Sequence, residues 1–299
     1  MIQIAIDTMN DSLLTRQAIY DYCQISRQGF FSAVKSRNEY FELIEKIKPK
    51  VSTHRATVDA YAGSRTLFNE LSIKSEFGIG VSKFEQIMSK EMMTLVRVKT
   101  RIITTKSCQR SKDYTNLING MTVRELNKVI VGDLTYVYLD NRLYYVFSLF
   151  DIYSGKLVGC YGSSRMRAVD AAQAFDQYKK LIKHDTFKGT IHHTDGGSQY
   201  FSNLYLDLVM SNKMQISVAS SCLENGYAEQ RNGLLKKHFL PLITGRDEKL
   251  FQQGIEHIVS LYNNRKQESL GWLSPLEFEE KWKGVDIELR PVKQLYNFY

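Results

Sequence analysis

Along the chain the spacing of apolar positions changes from helical to alternating near residue 127. Before that point the reading is all-α. From Ser12 to Lys35, Leu14, Ala18, Ile19 and Tyr22 recur at helical spacing, the pattern breaks at Gln24-Ile25, and Ser26 stands where an N-cap opens a second helix. A second pair follows: a helix from Ser64 to Leu71, a glycine-broken loop Phe77-Gly78-Ile79-Gly80, and a helix capped by Ser82 running through Met92. From Val129 the period becomes two and the residues turn β-branched and aromatic. Val129–Tyr138, Arg142–Asp151 and Lys156–Gly162, joined at Asp140-Asn141 and Ser154-Gly155, predict an antiparallel meander. A helix over 168–183 follows, with Ala171, Phe175, Tyr178 and Ile182 on one face. Then come a strand Thr190–Thr194, a helix Ser202–Asn212, a strand Met214–Val218 and a helix from about Asn225 to Leu240. The helix Phe251–Asn264 reads as a packing element beyond this core, and Trp272 as an anchor for the tail.

Three antiparallel strands, a helix, then alternating strand and helix is the order of the ribonuclease-H-like fold. The fold class expected is therefore α/β, a mixed five-stranded sheet flanked by helices, preceded by an all-α helix-turn-helix region. The divisions expected are a helix-turn-helix-like region at 1–50, a second helical region at 51–98, a basic linker at 99–124, the α/β core at 125–245 and a helical extension at 246–299.

Within the predicted central strand Asp133 interrupts an apolar run, and an ionised carboxylate there needs hydrogen bonds or a cation to offset its desolvation. Asp195 ends the fourth strand just before Gly196-Gly197, at a rim where a ligand can approach the backbone. On the helix near 225–240, Asn232, Gly233 and Lys236 share a face with Glu229, an unusually polar face for a helix laid on a sheet. Glu224 lies five residues earlier, about 140° round a helix from Glu229. Three carboxylates from two strands and a helix can hold hard divalent cations through oxygen, as Mg²⁺ prefers. Two such ions can activate an attacking water or 3′-hydroxyl and stabilise the leaving oxygen of a phosphodiester. Taken singly, each acid also admits a structural reading. For Asp151 that reading is capping of the turn at Ser154-Gly155, and for His192 and His193 it is hydrogen bonding or packing beside the site.

The composition narrows the partners. The 299 residues are 43% hydrophobic and 24% charged, and 40 Lys+Arg against 32 Asp+Glu give a formal charge of +8, which suits a polyanion such as nucleic acid. Arg97, Lys99, Arg101, Lys106, Arg110 and Lys112 make the linker cationic. If the first two helices form a helix-turn-helix rather than a plain hairpin, Arg27 and Gln28 open the helix that meets DNA. Four dispersed cysteines argue against a zinc site and for reduced thiols in the cytoplasm. No apolar run approaches the roughly 18 residues that a membrane span needs.

At the carboxylates the sequence resembles the D-D-E transposase and retroviral-integrase superfamily, most closely the catalytic protein of bacterial insertion sequences that encode their transposase in two frames. The resemblance rests on Asn127-Lys128-Val129-Ile130-Val131-Gly132-Asp133-Leu134-Thr135-Tyr136, on Asp151 through Gly159, and on His193-Thr194-Asp195-Gly196-Gly197-Ser198-Gln199-Tyr200. It continues through Glu224 to Glu229 with Lys236, and through Tyr262-Asn263-Asn264-Arg265 and Leu270 to Pro275. It implies a DNA transposase that cuts at the ends of a mobile element and joins a freed 3′-hydroxyl to target DNA. Asp133, Asp195 and Glu229 would be the metal ligands, for two Mg²⁺ ions with Mn²⁺ able to substitute. Lys236, with Asn232 and Arg231 beside it, would contact DNA near the scissile phosphate. It further implies double-stranded DNA as partner, a homo-oligomer on paired ends, a first-frame protein fused or supplied separately, and residence at the bacterial nucleoid. The alternative is a protein of the same fold that binds DNA as a repressor or accessory subunit without catalysis. A hydrolytic nuclease of that fold is a third reading.

Overall fold

The computed structural model describes residues 16–95, 113–140, 142–182, 187–219, 222–244 and 247–296. Two compact units are present, Met1–Ser52 and Thr53–Tyr299.

In the first unit α1 (Arg16–Tyr22) is followed after four residues by α2 (Arg27–Thr57), whose last residues from Thr53 on are counted in the second unit and whose first turn is capped by the Ser26 hydroxyl accepting from the Gly29 N–H at 3.0 Å. The break and the cap fall where the pattern places them. The second helix runs much further than Lys35, with Pro49 inside it. Tyr20 and Phe30 are buried against each other, with Ile25 and Val34 beside them.

The second unit opens with α3 (Ser64–Glu70), α4 (Ile73–Phe77) and α5 (Val81–Lys90). The short α4 is not legible in the pattern, and α5 begins at Val81 behind Gly80 rather than behind Ser82. Next come β1 (Val129–Leu139), β2 (Arg142–Asp151), β3 (Leu157–Ser163), α6 (Ala168–Ile182), β4 (Ile191–Thr194), α7 (Asn203–Ser211) and β5 (Gln215–Val218). The strands lie in the order β3-β2-β1-β4-β5, the first three antiparallel and β1-β4-β5 parallel. This is the ribonuclease-H-like arrangement, with the longest strand in the centre.

Strand alternation sorts the side chains. Val129, Val131 and Ile191 enter one apolar cluster with α8 (Gly226–Leu234) and α9 (Glu248–Asn264), while Ile130, Phe147 and Leu149 enter another with α6 and α7. Small residues permit the closest approaches. A Cβ on Gly159 would stand 2.2 Å from the Ala174 carbonyl of α6, and one on Gly162 would stand 2.3 Å from the Phe251 ring of α9. Helix α9 is therefore part of the core rather than an extension beyond it, since Phe251, Ile255, Ile258 and Tyr262 are all buried on the sheet. The helix expected to reach Leu240 does so without a break, α-helical to Leu234, π-helical over Leu235–Phe239 and closing in a 3-10 turn, Leu240–Leu242. Helix α10 (Pro275–Trp282) starts from a capping box between Ser274 and Glu277. Trp272 is half-buried on left-handed backbone, φ 63°, at the edge of a cleft, and Trp282 is the tryptophan that packs on the core. Short strands Thr122–Val123 and Lys293–Gln294 pair to tie the tail down.

Candidate active site

The register of the central strands sets the site. Gly132 pairs with Thr194 across the parallel β1-β4 ladder, whose strands run about 5 Å apart, so Asp133 and Asp195, each one residue further on, stand level, Asp133 within β1 and Asp195 just past the end of β4. Alternation gives Asp133 the face of Val129 and Val131, and gives Asp195 the face of Ile191 and His193, the side covered by α8. The crowded ladder needs glycine at 132, where a Cβ would lie 3.1 Å from His192, Leu149 and Thr194. The turn after Asp195 needs one at 197, where the N–H donates to Asp195 Oδ1 at 3.1 Å and a Cβ would lie 2.9 Å from that oxygen.

Helix α8 is pinned over Asp133 by a short polar chain. Asn232 Nδ2 donates to Asp133 Oδ2 at 3.0 Å, and Asn232 Oδ1 accepts from the Ser148 hydroxyl at 2.6 Å. Ser148 is the residue opposite Asp133 on β2. Asp133 Oδ1 accepts from the Leu134 N–H at 2.8 Å. Glu229 lies three residues before Asn232 and so faces the same rim.

The three carboxylates repel one another. Burial first, then the Asp195 charge and more weakly that of Glu229, push Asp133 up to about 7 against the pull of its hydrogen bonds. Burial raises Asp195, and burial with Asp195 raises Glu229. As the side chains stand, no group of three His, Cys, Asp or Glu among the described residues is placed to hold a metal ion. The donor set nonetheless has the right chemistry for a hard cation, being oxygen alone with three converging negative charges and no basic side chain hydrogen-bonded to Asp133.

The remaining expected residues divide. Lys236 is exposed, its Nζ 3.9 Å from the centroid of the Tyr136 ring, close to the half-exposed Tyr136 and Tyr138 at the end of β1. Arg231 and Asn232 are corrections, because neither reaches the surface. Arg231 is 6% exposed and turned away from the carboxylate rim, and Asn232 is 4% exposed and spent on Asp133 and Ser148. Arg27 and Gln28 are exposed at the start of α2 in the first unit. Arg97, Lys99 and Arg101 lie outside the described residues. Asp151 does cap its turn, accepting from the Ser154 N–H and hydroxyl and the Asn127 N–H. His193 bonds Ser217, and His192 bonds the Tyr205 hydroxyl, both rings buried and held neutral by desolvation, down to about 4 and about 3. Glu224 sits in a 3-10 turn before α8 and accepts from Asn116, so it is off the helix altogether.

Two elements of the site were missed. Ser148 is one, and its signal was a lone hydroxyl in the apolar run Val146-Phe147-Ser148-Leu149. The other is a buried anchor under the end of α8, where Asp59 binds His238 Nδ1 at 2.6 Å and Arg265 Nε at 2.8 Å. No local pattern links those three.

An integrase core domain model matches residues 124–221. The chain is 29% identical over 273 residues to the insertion element IS600 uncharacterized 31 kDa protein of Shigella sonnei, covering 87% of this chain and 98% of that one. It is 30% identical over 155 residues to the transposase for insertion sequence element IS629 of Shigella sonnei, about half of each protein (51% and 51%). It is 27% identical over 247 residues to the transposase for insertion sequence element IS904 of Lactococcus lactis, covering 80% and 93%. The chain is thus similar to the integrase core domain over residues 124–221 and to proteins of bacterial insertion sequences over most of its length. The integrase-core match covers β1 through β5 and with them Asp133 and Asp195, and it stops before α8, which carries Glu229. Among the described residues no helix is long and apolar enough to cross a membrane.

Proposed function

We propose that the chain is a DNA transposase of the D-D-E type, cutting at mobile-element ends and transferring the freed strand to target DNA by phosphoryl transfer. Asp133, Asp195 and Glu229 are its metal ligands and catalytic residues. The observation that supports the reading is the crowding of these acids at one rim of the sheet, where burial raises all three and the Asp195 charge adds to the rise at Asp133 and Glu229. A buried acid held near 7 is poised to bind a cation, since a cation returns it to the charged form. Mg²⁺, as two ions with Mn²⁺ as substitute, would supply an activated hydroxyl and a stabilised leaving oxygen. The chain's own residues do the rest. Asn232, steadied by Ser148, fixes the Asp133 carboxylate, and the neutral His193 braces the strand behind Asp195. Lys236, over Tyr136, offers a cation to a nearby DNA phosphate.

The N-terminal helices α1 and α2 are the part that recognises element ends, with Arg27 and Gln28 toward DNA. The working form is a homo-oligomer on paired ends in the bacterial cytoplasm, with a first-frame protein as further partner. The names of the relatives from insertion sequences support this reading. The deciding experiment incubates the protein with labelled terminal repeats taken from the DNA flanking its gene, with Mg²⁺ and target DNA. Joined product that disappears with chelator supports the transposase. Nicked DNA without joining indicates a hydrolytic nuclease, and metal-independent binding without cleavage indicates the repressor or accessory protein.

A further inference from the structure

Past the acids, β1 leaves the rest of the sheet. Its ladder with β4 ends at the Gly132–Thr194 pair, and from Asp133 to Leu139 it is paired, among the described residues, with β2 alone. The hairpin so formed is apolar on both faces. Val137 and Leu139 pack on the core cluster under α8, whereas Tyr136 and Tyr138 alternate with them and lie past Leu134, where the packing of β1 on the cluster of α6 and α7 stops. Tyr136 is therefore 41% and Tyr138 67% exposed, with ring centroids 6.3 Å apart and planes at 86°. At about 3.4 Å per residue they stand about 10 Å and about 17 Å along the strand from Asp133.

Lys236, from the π-helical segment that extends α8, comes over the Tyr136 ring with its Nζ 3.9 Å from the centroid. No carboxylate pairs with it among the described residues, and burial lowers it from its usual value. The hairpin itself carries one acid and one base, Asp140 and Arg142, at its turn. The row Tyr136, Tyr145 and Ser163 across β1, β2 and β3 brings the loop after β3 to the same end of the sheet, with Arg165 exposed on it and Arg167 held by Asp170. The surface is aromatic with cations at its edges, which suits a nucleic-acid strand whose bases stack on rings while its phosphates meet the cations. A paired duplex offers a protein its phosphates and groove edges and keeps the faces of its bases stacked inside. A ring as open as that of Tyr138 is matched by a base that has left its pair.

We propose that the hairpin end is a base-stacking site, in which an unpaired base of the DNA strand held at the acid rim lies on the Tyr138 ring, Tyr136 forms the adjoining wall, and Lys236 takes the neighbouring phosphate. The inference rests on the reading of the acid rim as a strand-transfer centre and adds to it the form of the substrate. That form is a duplex end opened within about five nucleotides of the scissile phosphate, since about 17 Å spans about five steps of 3.4 Å.

The test measures, by fluorescence anisotropy with chelator present, the affinity of the full chain for the terminal-repeat duplexes of the strand-transfer assay. Each duplex is fully paired, mismatched at one of about five positions beside the scissile phosphate, or abasic there. A mismatch at the seated position relieves the cost of unpairing, so wild type should bind that duplex about tenfold more tightly than the paired one, and the abasic duplex, which offers no ring, should lose the gain. Tyr138→Ala should abolish the preference, Tyr138→Phe should keep it, and Lys236→Gln should weaken binding of every duplex alike. A preference that is absent at every position, or that survives in Tyr138→Ala, overturns the proposal. So does a change of mass in sedimentation of the DNA-free Tyr138→Ala protein, which would make the hairpin a contact between copies of the chain. Because binding is read without metal, the two readings fail separately. Cleavage absent with the preference intact counts against the carboxylates alone, and joined product with no preference counts against the hairpin alone.

Discussion

The two faces of α8 carry opposite electrostatic problems. Toward the sheet rim, burial first and then the Asp195 and Glu229 charges push Asp133 up to about 7. Toward the cleft on the other side, burial first and then the Arg231 charge bring Lys293 down to about 7. One turn beyond the helix, Asp59, His238 and Arg265 show a buried cluster in which the charges answer each other, and there the acid is held below its ordinary value by His238 and Arg265 despite its burial. The difference separates two uses of buried charge. Compensated charge fixes the end of the helix, and the uncompensated acids mark a place where a cation supplies the missing sign.

The largest effect expected is on the anionic face. Asp133→Asn, Asp195→Asn and Glu229→Gln should each lower strand cleavage and joining by about 10³-fold or more while DNA binding in a gel-shift assay stays near wild type. Cleavage retained by any one of them breaks the comparison at its first term. Next is the compensated cluster, where Asp59→Asn leaves Arg265 buried without its partner. Denaturant unfolding should show a loss of about 3–5 kcal/mol, and a loss under about 1 kcal/mol would place this cluster with the uncompensated ones.

Asn232→Ala should cost about 10–100-fold in cleavage with the fold intact. Because its hydrogen bond holds Asp133 down, the acid limb of the pH–rate profile should move to higher pH, a displacement that simple loss of packing does not produce. A smaller effect concerns metal-free stability. The folded pKa of Asp133 lies above its unfolded value, so between about 4 and 7 the native state binds the extra proton and stability falls as pH rises through that window. Asp133→Asn removes that slope and should be the more stable form above pH 7 by ~1–2 kcal/mol. The comparison is made as wild type minus variant, because His192 and His193 act in the other direction. Their folded values are depressed, so the stability they lend is present above about 6.5 and lost as pH falls. Smallest is Lys236→Gln, expected to weaken DNA binding a few-fold and to reduce the salt slope by about one.

Much of this was legible in local pattern. Alternation along Val129–Leu139 and the turns at Asp140 and Gly155 specify the meander, and Asp133 stands out because a carboxylate in an apolar strand is locally expensive. Ser26, Ser202 and Ser274 announce helix starts by chemistry confined to one turn. Where a residue's partner is remote, pattern failed. Arg231 and Asn232 look like surface companions of Lys236 on a polar helix, yet one is claimed by Tyr227, Tyr262 and Gln267 and the other by Asp133 and Ser148. Helix α9 looks like an appendage until Gly162 is seen to leave room for Phe251 and Ile255.

From its amino acids alone this protein's element order, its strand faces and its three acids follow, because periodicity and the cost of a misplaced charge act over a few neighbouring residues. Folding in three dimensions decided which side of α8 meets the sheet, that Asp133 and Asp195 stand level, and that Arg231 and Lys293 meet on the side of α8 away from the acids. Those outcomes depend on ladder register and on contacts between residues 30 to 200 positions apart, distances over which no local preference carries information.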